Sequence, residues 1–229
     1  MSNIVFQRPR GTSWQAKWTD AFSTLVQSGT APGFETRVSL GPDFLRTLEL
    51  NYAILTAGSK GETRDQLMGF FNLRGGDFDS FLVDLGALTK NPVDSSVVGQ
   101  TLTPDANKFA PLQLTHYVSP QENWMEDIYE VGGINGNPGT PPTIKQNGIP
   151  LVLNSDYYIY GPGYSVSGKT FPGLVIFIAT ALSTSPISHI TADFSWYYRV
   201  RFEQSKLEVE MFHWLAWKAQ QIRLVTVRT

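Results

Sequence analysis

Ala192-Asp-Phe-Ser-Trp-Tyr-Tyr-Arg-Val-Arg-Phe202 and, after Glu203-Gln204-Ser205, Lys206-Leu-Glu-Val-Glu-Met211 decide the fold class of this chain. Side chains of an extended strand alternate between two faces. Phe194, Trp196, Tyr198, Val200 and Phe202 therefore share one face, and Asp193, Ser195, Tyr197, Arg199 and Arg201 share the other. The second segment repeats the pattern, with Leu207, Val209 and Met211 on one side and Lys206, Glu208 and Glu210 on the opposite side. Read as a hairpin, the pair sets carboxylates across from Arg199 and Arg201. This is sheet architecture with one greasy and one charged face, and it carries no chemistry of its own.

Working outward, 229 residues suffice for one β-rich domain or two small ones, since domains commonly run about 100–200 residues. Charged residues are 17 % of the chain, below the roughly 25 % of an average soluble protein. A chain so poor in charge often hides surface in partners. The formal net charge of −2 removes the broad basic footprint of a static nucleic-acid binder. With no cysteine there is no disulfide framework, thiolate metal site or cysteine nucleophile, which suits a reducing cytoplasm. Residues 1–10 lack the basic and apolar regions of a signal peptide. The longest apolar run, Gly173-Leu-Val-Ile-Phe-Ile-Ala179, falls far short of the ~20 residues of a membrane helix and reads as a buried strand.

Trp14, Trp18, Phe22, Leu25 and Val26 recur at spacings of three and four, which predicts a short amphipathic helix capped by Gly11-Thr12-Ser13. The other reading is an N-terminal arm that docks Trp14 and Trp18 on a neighbouring subunit. Phe34–Leu40, the Gly41-Pro42-Asp43 turn and Leu45–Leu55 read as a hairpin. Its apolar face is Leu48, Leu50, Tyr52 and Ile54, and its polar face is Glu35, Arg37, Ser39, Thr47, Glu49 and Asn51 together with Ala53. Ser59-Lys-Gly-Glu62 has capping-box spacing, and Leu67, Phe70 and Phe71 continue a helix over 61–74 that Gly75-Gly76 stops. Gly75–Val83 is a tight turn into a further strand. Residues 86–147 are proline-rich, with strands at 112–119 and 126–131 and a loop over 132–142. Short strands follow at 149–153, 156–160, 174–178 and 190–202, and a last one at 221–227. The chain is thus expected to be mainly β with one or two short helices (α+β). The expected divisions are 1–90, 91–190 as a β-rich insertion or second domain, and 191–229 as a hairpin and strand completing the N-terminal sheet.

Catalytic, cofactor and metal sites are not expected. His116, His189 and His213 have no ligand spacing. Gly163-Tyr-Ser-Val-Ser-Gly-Lys-Thr170 spells a phosphate-loop string, but such a loop needs a helix starting at Lys169, and Pro172-Gly173 ends any helix at once. A hairpin loop is the reading. Tyr157, Tyr158, Tyr160 and Tyr164 beside glycines raise an alternative, a carbohydrate-binding β-sandwich that recognises a bacterial surface glycan. A small enzyme is the third class.

The order of these pieces resembles the distal tail protein family of long-tailed (siphovirus) phages, in the branch shared with gene transfer agents. The matching stretches are Glu35-Thr-Arg37 with Leu48–Tyr52, Gly69-Phe-Phe-Asn-Leu-Arg-Gly-Gly76 and Asp77–Asp84. Asn147-Gly148, Asp156-Tyr157, Gly173–Phe177, Ala192–Phe202 and Leu207–Met211 complete them, over roughly 34–84 and 145–228. The resemblance implies a structural virion protein with a tail-tube-like β-sandwich or barrel, a packed helix and a second small β domain. It implies a homohexameric ring joining the tail tube protein to the tail hub protein, with the tape measure protein as a further neighbour and DNA in transient passage. The chain would act in the virion tail, assembled in the bacterial host cytoplasm without membrane insertion. Carried onto this sequence, Glu35, Arg37, Ser39, Thr47, Glu49 and Asn51 become candidates for the channel wall, and Trp14 and Trp18 for the subunit interface.

Overall fold

Alternation of apolar and polar residues dominates the computed structural model as it dominates the sequence. The model describes residues 4–7, 9, 14–21, 24–28, 35–39, 45–56, 63–89, 96–102, 112–113, 115–119, 124–128, 130–132, 140–161, 163–166, 169–170, 174–178, 190–214 and 216–227. The chain is mainly β, with two short helices among the described residues. In chain order the elements are β1 (Trp14–Ala21), β2 (Thr24–Ser28), β3 (Glu35–Ser39), β4 (Leu45–Thr56), α1 (Thr63–Leu73), β5 (Phe81–Val83), α2 (Leu85–Thr89), β6 (Ser96–Leu102), β7 (Leu112–Gln113) and β8 (Thr115–Ser119). They continue as β9 (Trp124–Asp127), β10 (Glu130–Gly132), β11 (Thr143–Gln146), β12 (Ile149–Pro150), β13 (Tyr157–Tyr160), β14 (Ser165–Val166), β15 (Lys169–Thr170), β16 (Val175–Ile178), β17 (Ile190–Phe202), β18 (Val209–His213) and β19 (Ala216–Thr226). Two compact units result, residues 1–81 with 199–229 and residues 82–198. Their limits fall at 81/82 and 198/199, where the sequence reading divided the chain at 90/91 and 190/191.

In the first unit β1, β4 and β19 are successive antiparallel neighbours. The free flank of β19 is shared by the end of β17, at Val200–Phe202, and by β18. One row of this sheet, Trp18, Leu48, Leu224 and Phe202, crosses four strands in register. Its last three members are buried. Helix α1 covers that side. Its Leu67 and Phe71 are buried, and Phe71 meets Phe202 edge to face with ring centroids 4.9 Å apart. Phe6, Phe70 and Phe81 extend the same aromatic cluster, geometry that adds to burial energy. The helix ends as its glycines require. Gly75 and Gly76 take φ of +66° and +65°, and their N–H groups donate to Asn72 and Phe71 oxygens at 3.0 and 3.1 Å, the paired bonds of a Schellman ending.

Four sequence expectations are corrected in this unit. Residues 14–21 and 24–28 form strands, not a helix: spacing of four satisfies both periods, and pairing with β4 decides for the extended one. The hairpin of β3 with β4 is replaced by nested pairs, β1 with β4 and β2 with β3; the turn expected at 41–43 lies outside the described residues. The partner of β17 is not the 206–211 segment but β19, while β18 forms its own hairpin with β19, which begins at Ala216 rather than 221. The apolar face of β4 stops at Tyr52, because the ladder to β19 slips between Ala219 and Trp217; Ile54 is exposed and Leu55 is buried in its place.

The second unit is sandwich-like. β6 lies on one flank of β17, and β10 and β11 on the other. β13, β16 and β7 form a second sheet. Ile144, Ile190, Ala192, Phe194 and Trp196 from the first sheet pack in one buried cluster with Tyr157 and Ile176 from the second. Here the polar face of β17 is covered as well as the greasy one: Asp193, Ser195 and Tyr197 are all buried. The segments expected at 149–153, 156–160, 174–178 and 190–202 all contain strands, and β6 and α2 were not anticipated.

Candidate functional site

The side of the β1–β4–β19 sheet away from α1 carries the polar residues. Thr47, Glu49 and Asn51 alternate along β4 with the buried Leu48, Leu50 and Tyr52, and each is half-buried. Register places Glu49 between Lys17 of β1 and Arg223 of β19, both exposed, so a carboxylate stands between two cations across three strands. Thr47 stands between Thr19 and Val225 in the next row. Asn51 holds the other end of the face. Its amide oxygen accepts the Gln221 N–H at 2.6 Å, and its amide nitrogen donates to Glu49 Oε1 at 3.4 Å. Gln221 takes φ of +56° at the bulge where Ile222 pairs Leu50 and Ala219 pairs Tyr52, and the side-chain acceptor takes up its N–H. Lys17, Arg223 and Gln221 were missed from the sequence. The signal for Arg223 was present in its place between Ile222 and Leu224.

The other three channel candidates are not brought into this sheet. Glu35, Arg37 and Ser39 lie on β3, opposite Ser28, Val26 and Thr24 of β2; Arg37 is exposed. Trp14 and Trp18 lie on β1, in register with Tyr52 and Leu48. Trp18 is half-buried, its ring 5.5 Å from the Arg46 guanidinium, which Asp20 binds at 2.8 Å. Among the described residues β1 pairs only with β4, and β18 only with β19, so each offers an outer edge of backbone N–H and C=O groups.

The other polar constellation lies in the second unit. Asp193 accepts the Gly99 N–H at 2.6 Å and pairs with Lys145 Nζ, joining β6 and β11 across β17. Gly99 has φ of +72° at the bulge in the β6–β17 ladder, so the carboxylate fastens an irregular edge. Burial pushes the Asp193 carboxyl up, and the hydrogen bonds from Lys145 and Gly99 with the Lys145 charge outweigh it, holding the group below its ordinary value. A saturated ion pair of this kind fixes strands and offers no free acid or base. Among the described residues no group of three or more metal-ligating side chains converges. Lys169 lies in β15, paired with β14, so no helix begins at the phosphate-loop string. The tyrosines do not form one platform: Tyr157 is buried with its hydroxyl donating to Pro142 O at 2.7 Å, while Tyr160 and Tyr164 stack on each other with centroids 4.1 Å apart.

Compared with known proteins, the chain matches no family model and no curated protein.

Proposed function

We propose that this chain is a structural ring protein of a phage tail, the distal tail ring that joins the tail tube to the tail-tip hub and lines the DNA channel. The observation that carries the reading is the parity of the open-edged sheet. β1, β4, β19 and β18 are successively antiparallel, so β18 runs opposite to β1. A second copy brought alongside by rotation about an axis along the strands sets its β1 antiparallel to β18, with the same face inward. That is a head-to-tail contact, which closes into a ring when the rotation closes. An even number of strands between the edges is what lets every seam repeat the ladder within the subunit.

The polar face supports a channel wall better than it supports a binding site. Passing DNA sticks where cations stand together and release counterions. Here Glu49 separates Lys17 from Arg223, and Glu203 stands 3.9 Å from Arg223, so these cations are interleaved with carboxylates. The wall residues of this reading are Thr47, Glu49 and Asn51 with Lys17 and Arg223. Electron microscopy of the purified protein, alone and with its tail-tube and hub neighbours, tests the reading. Six-fold rings with a central pore are the expected result. A monomer in both samples overturns it and moves glycan recognition to first place.

A further inference from the structure

Charge alternates along one row of the polar face, from one flank of the first unit to the other. Register sets Lys17 of β1 opposite Glu49 of β4, and Glu49 opposite Arg223 of β19. The row ends on Glu203, the first residue after β17. Its N–H donates to Arg223 O at 2.9 Å, and its carboxylate stands 3.9 Å from the Arg223 guanidinium. Phe202, one residue earlier, pairs Leu224 on the α1 side, so Glu203 falls on the side of Arg223. The two ends of the row are its least satisfied members. Lys17 is exposed and, among the described residues, its ammonium has no ion pair or hydrogen bond. The Glu203 side chain is 47 % exposed and is held only at the outer limit of an ion pair.

We propose that Lys17 of one copy pairs with Glu203 of the next, so that charge draws the seam of the ring together. The inference rests on the ring reading and names what joins its subunits. Within one copy the two groups stand three strand spacings apart, about 14 Å, with β4 and β19 between them, and cannot meet. Rotation about an axis along the strands keeps each residue at its own level. Because the row begins on a cation and ends on a carboxylate, a second copy placed in this way sets Lys17 beside Glu203 and not beside a like charge. The neighbours of Lys17 on that face of β1, Gln15 and Thr19, bring no carboxylate to the seam. The contact lies just past the end of β17 and needs only the reach of two side chains. Repeated around the ring, the row contributes two cations and two carboxylates from every copy, and it closes as a girdle without net charge. Complementarity of this kind selects partner and register more than it adds affinity, and salt screens it.

The test exchanges the charges. Lys17→Glu and Glu203→Lys are each expected to raise the dissociation constant of the assembly about tenfold, read by mass photometry and electron microscopy of the protein alone and with its tail-tube and hub neighbours. Each reversal also disturbs its own copy, where Lys17 faces Glu49 and Glu203 faces Arg223, so rescue separates the two causes. Mixed one to one, the two variants meet with opposite charges at every seam of an alternating ring, while each chain keeps its internal repulsion. Assembly is expected to return in that mixture, and again in the double variant. Lys17→Met and Glu203→Gln introduce no repulsion and are expected to flatten the salt dependence of assembly. Rings indifferent to both reversals, losses that neither the mixture nor the double variant recovers, or a salt dependence unchanged by the neutral variants overturn the pairing and leave the ring reading intact. A wild-type chain that stays monomeric alone and with those neighbours overturns both.

Discussion

Strand β4 and the first part of strand β17 carry the same alternation, yet they treat their polar residues in opposite ways. On β4, Thr47, Glu49 and Asn51 stay half-buried on a face that water reaches, and their neighbours are other surface groups. On β17, Asp193 and Ser195 are as buried as Phe194 and Trp196, because the strand is covered on both faces. A solvated charge is held by water and gains little from a partner. A buried carboxylate needs donors to replace water, and each oxygen of Asp193 has one, the Gly99 N–H on one and Lys145 on the other. Period-two alternation thus marks a strand without saying whether its polar side is wet.

The largest expected effects do not separate the two strands. Phe202→Ala and Phe194→Ala each remove a fully buried ring, and each is expected to cost about 3–5 kcal/mol in denaturant unfolding. The separation comes with the polar residues. Asp193→Leu leaves the Gly99 N–H without its acceptor and is expected to cost about 1–3 kcal/mol, whereas Glu49→Gln stays within about 0.5 kcal/mol; equal losses would erase the distinction.

Acid sharpens it further. The folded state lowers the Asp193 carboxyl below its ordinary 3.8, so the stability it contributes is complete above that value and is lost as pH falls through the folded value. The difference between the wild type and Asp193→Asn is expected to be constant near neutrality and to shrink only in acid below the ordinary value. A difference that already changes between pH 5 and 8 would contradict the assignment. Gly99→Ala is expected to cost about 1 kcal/mol, from its φ of +72° alone, since nothing stands within 4 Å of an added Cβ. Smallest is Glu210→Ala, which breaks a 2.9 Å pair to Lys218 whose carboxylate is 70 % exposed; a shift of no more than about 0.5 kcal/mol is expected. Under the proposed channel reading, Glu49→Lys joins Lys17 and Arg223 into one row of cations and is expected to slow DNA ejection from assembled particles, measured by dye release.

Much of the fold was legible where the pattern is local. Leu48, Leu50 and Tyr52 announced β4, and Leu67, Phe71 and Gly75-Gly76 announced α1 and its end. What failed was partner choice. The pairing of β17 with β19 and of β4 with both β1 and β19 joins segments far apart in the chain, and no local signal ranks such partners. Trp14 and Trp18, four apart, fit a helix and a strand equally well. β6 was hidden because the bulge at Gly99 breaks its alternation. For the candidate site, the β4 residues were found from their alternation. Their true neighbours Lys17 and Arg223 depended on the pairing and were not.

The insertion of residues 82–198 between the two halves of the first unit also governs the order of folding. The Asn51 side chain that answers Gln221 is 170 residues away from it along the chain, so this half of the sheet closes over a very long loop. Closure entropy grows slowly with loop length, but contacts so distant are late rewards. The inserted segment is continuous and has its own core, so its folding does not wait for the two halves of the first unit to meet. Pulse-labelled hydrogen exchange should therefore find amides of β11 and β13 protected before those joining β4 to β19.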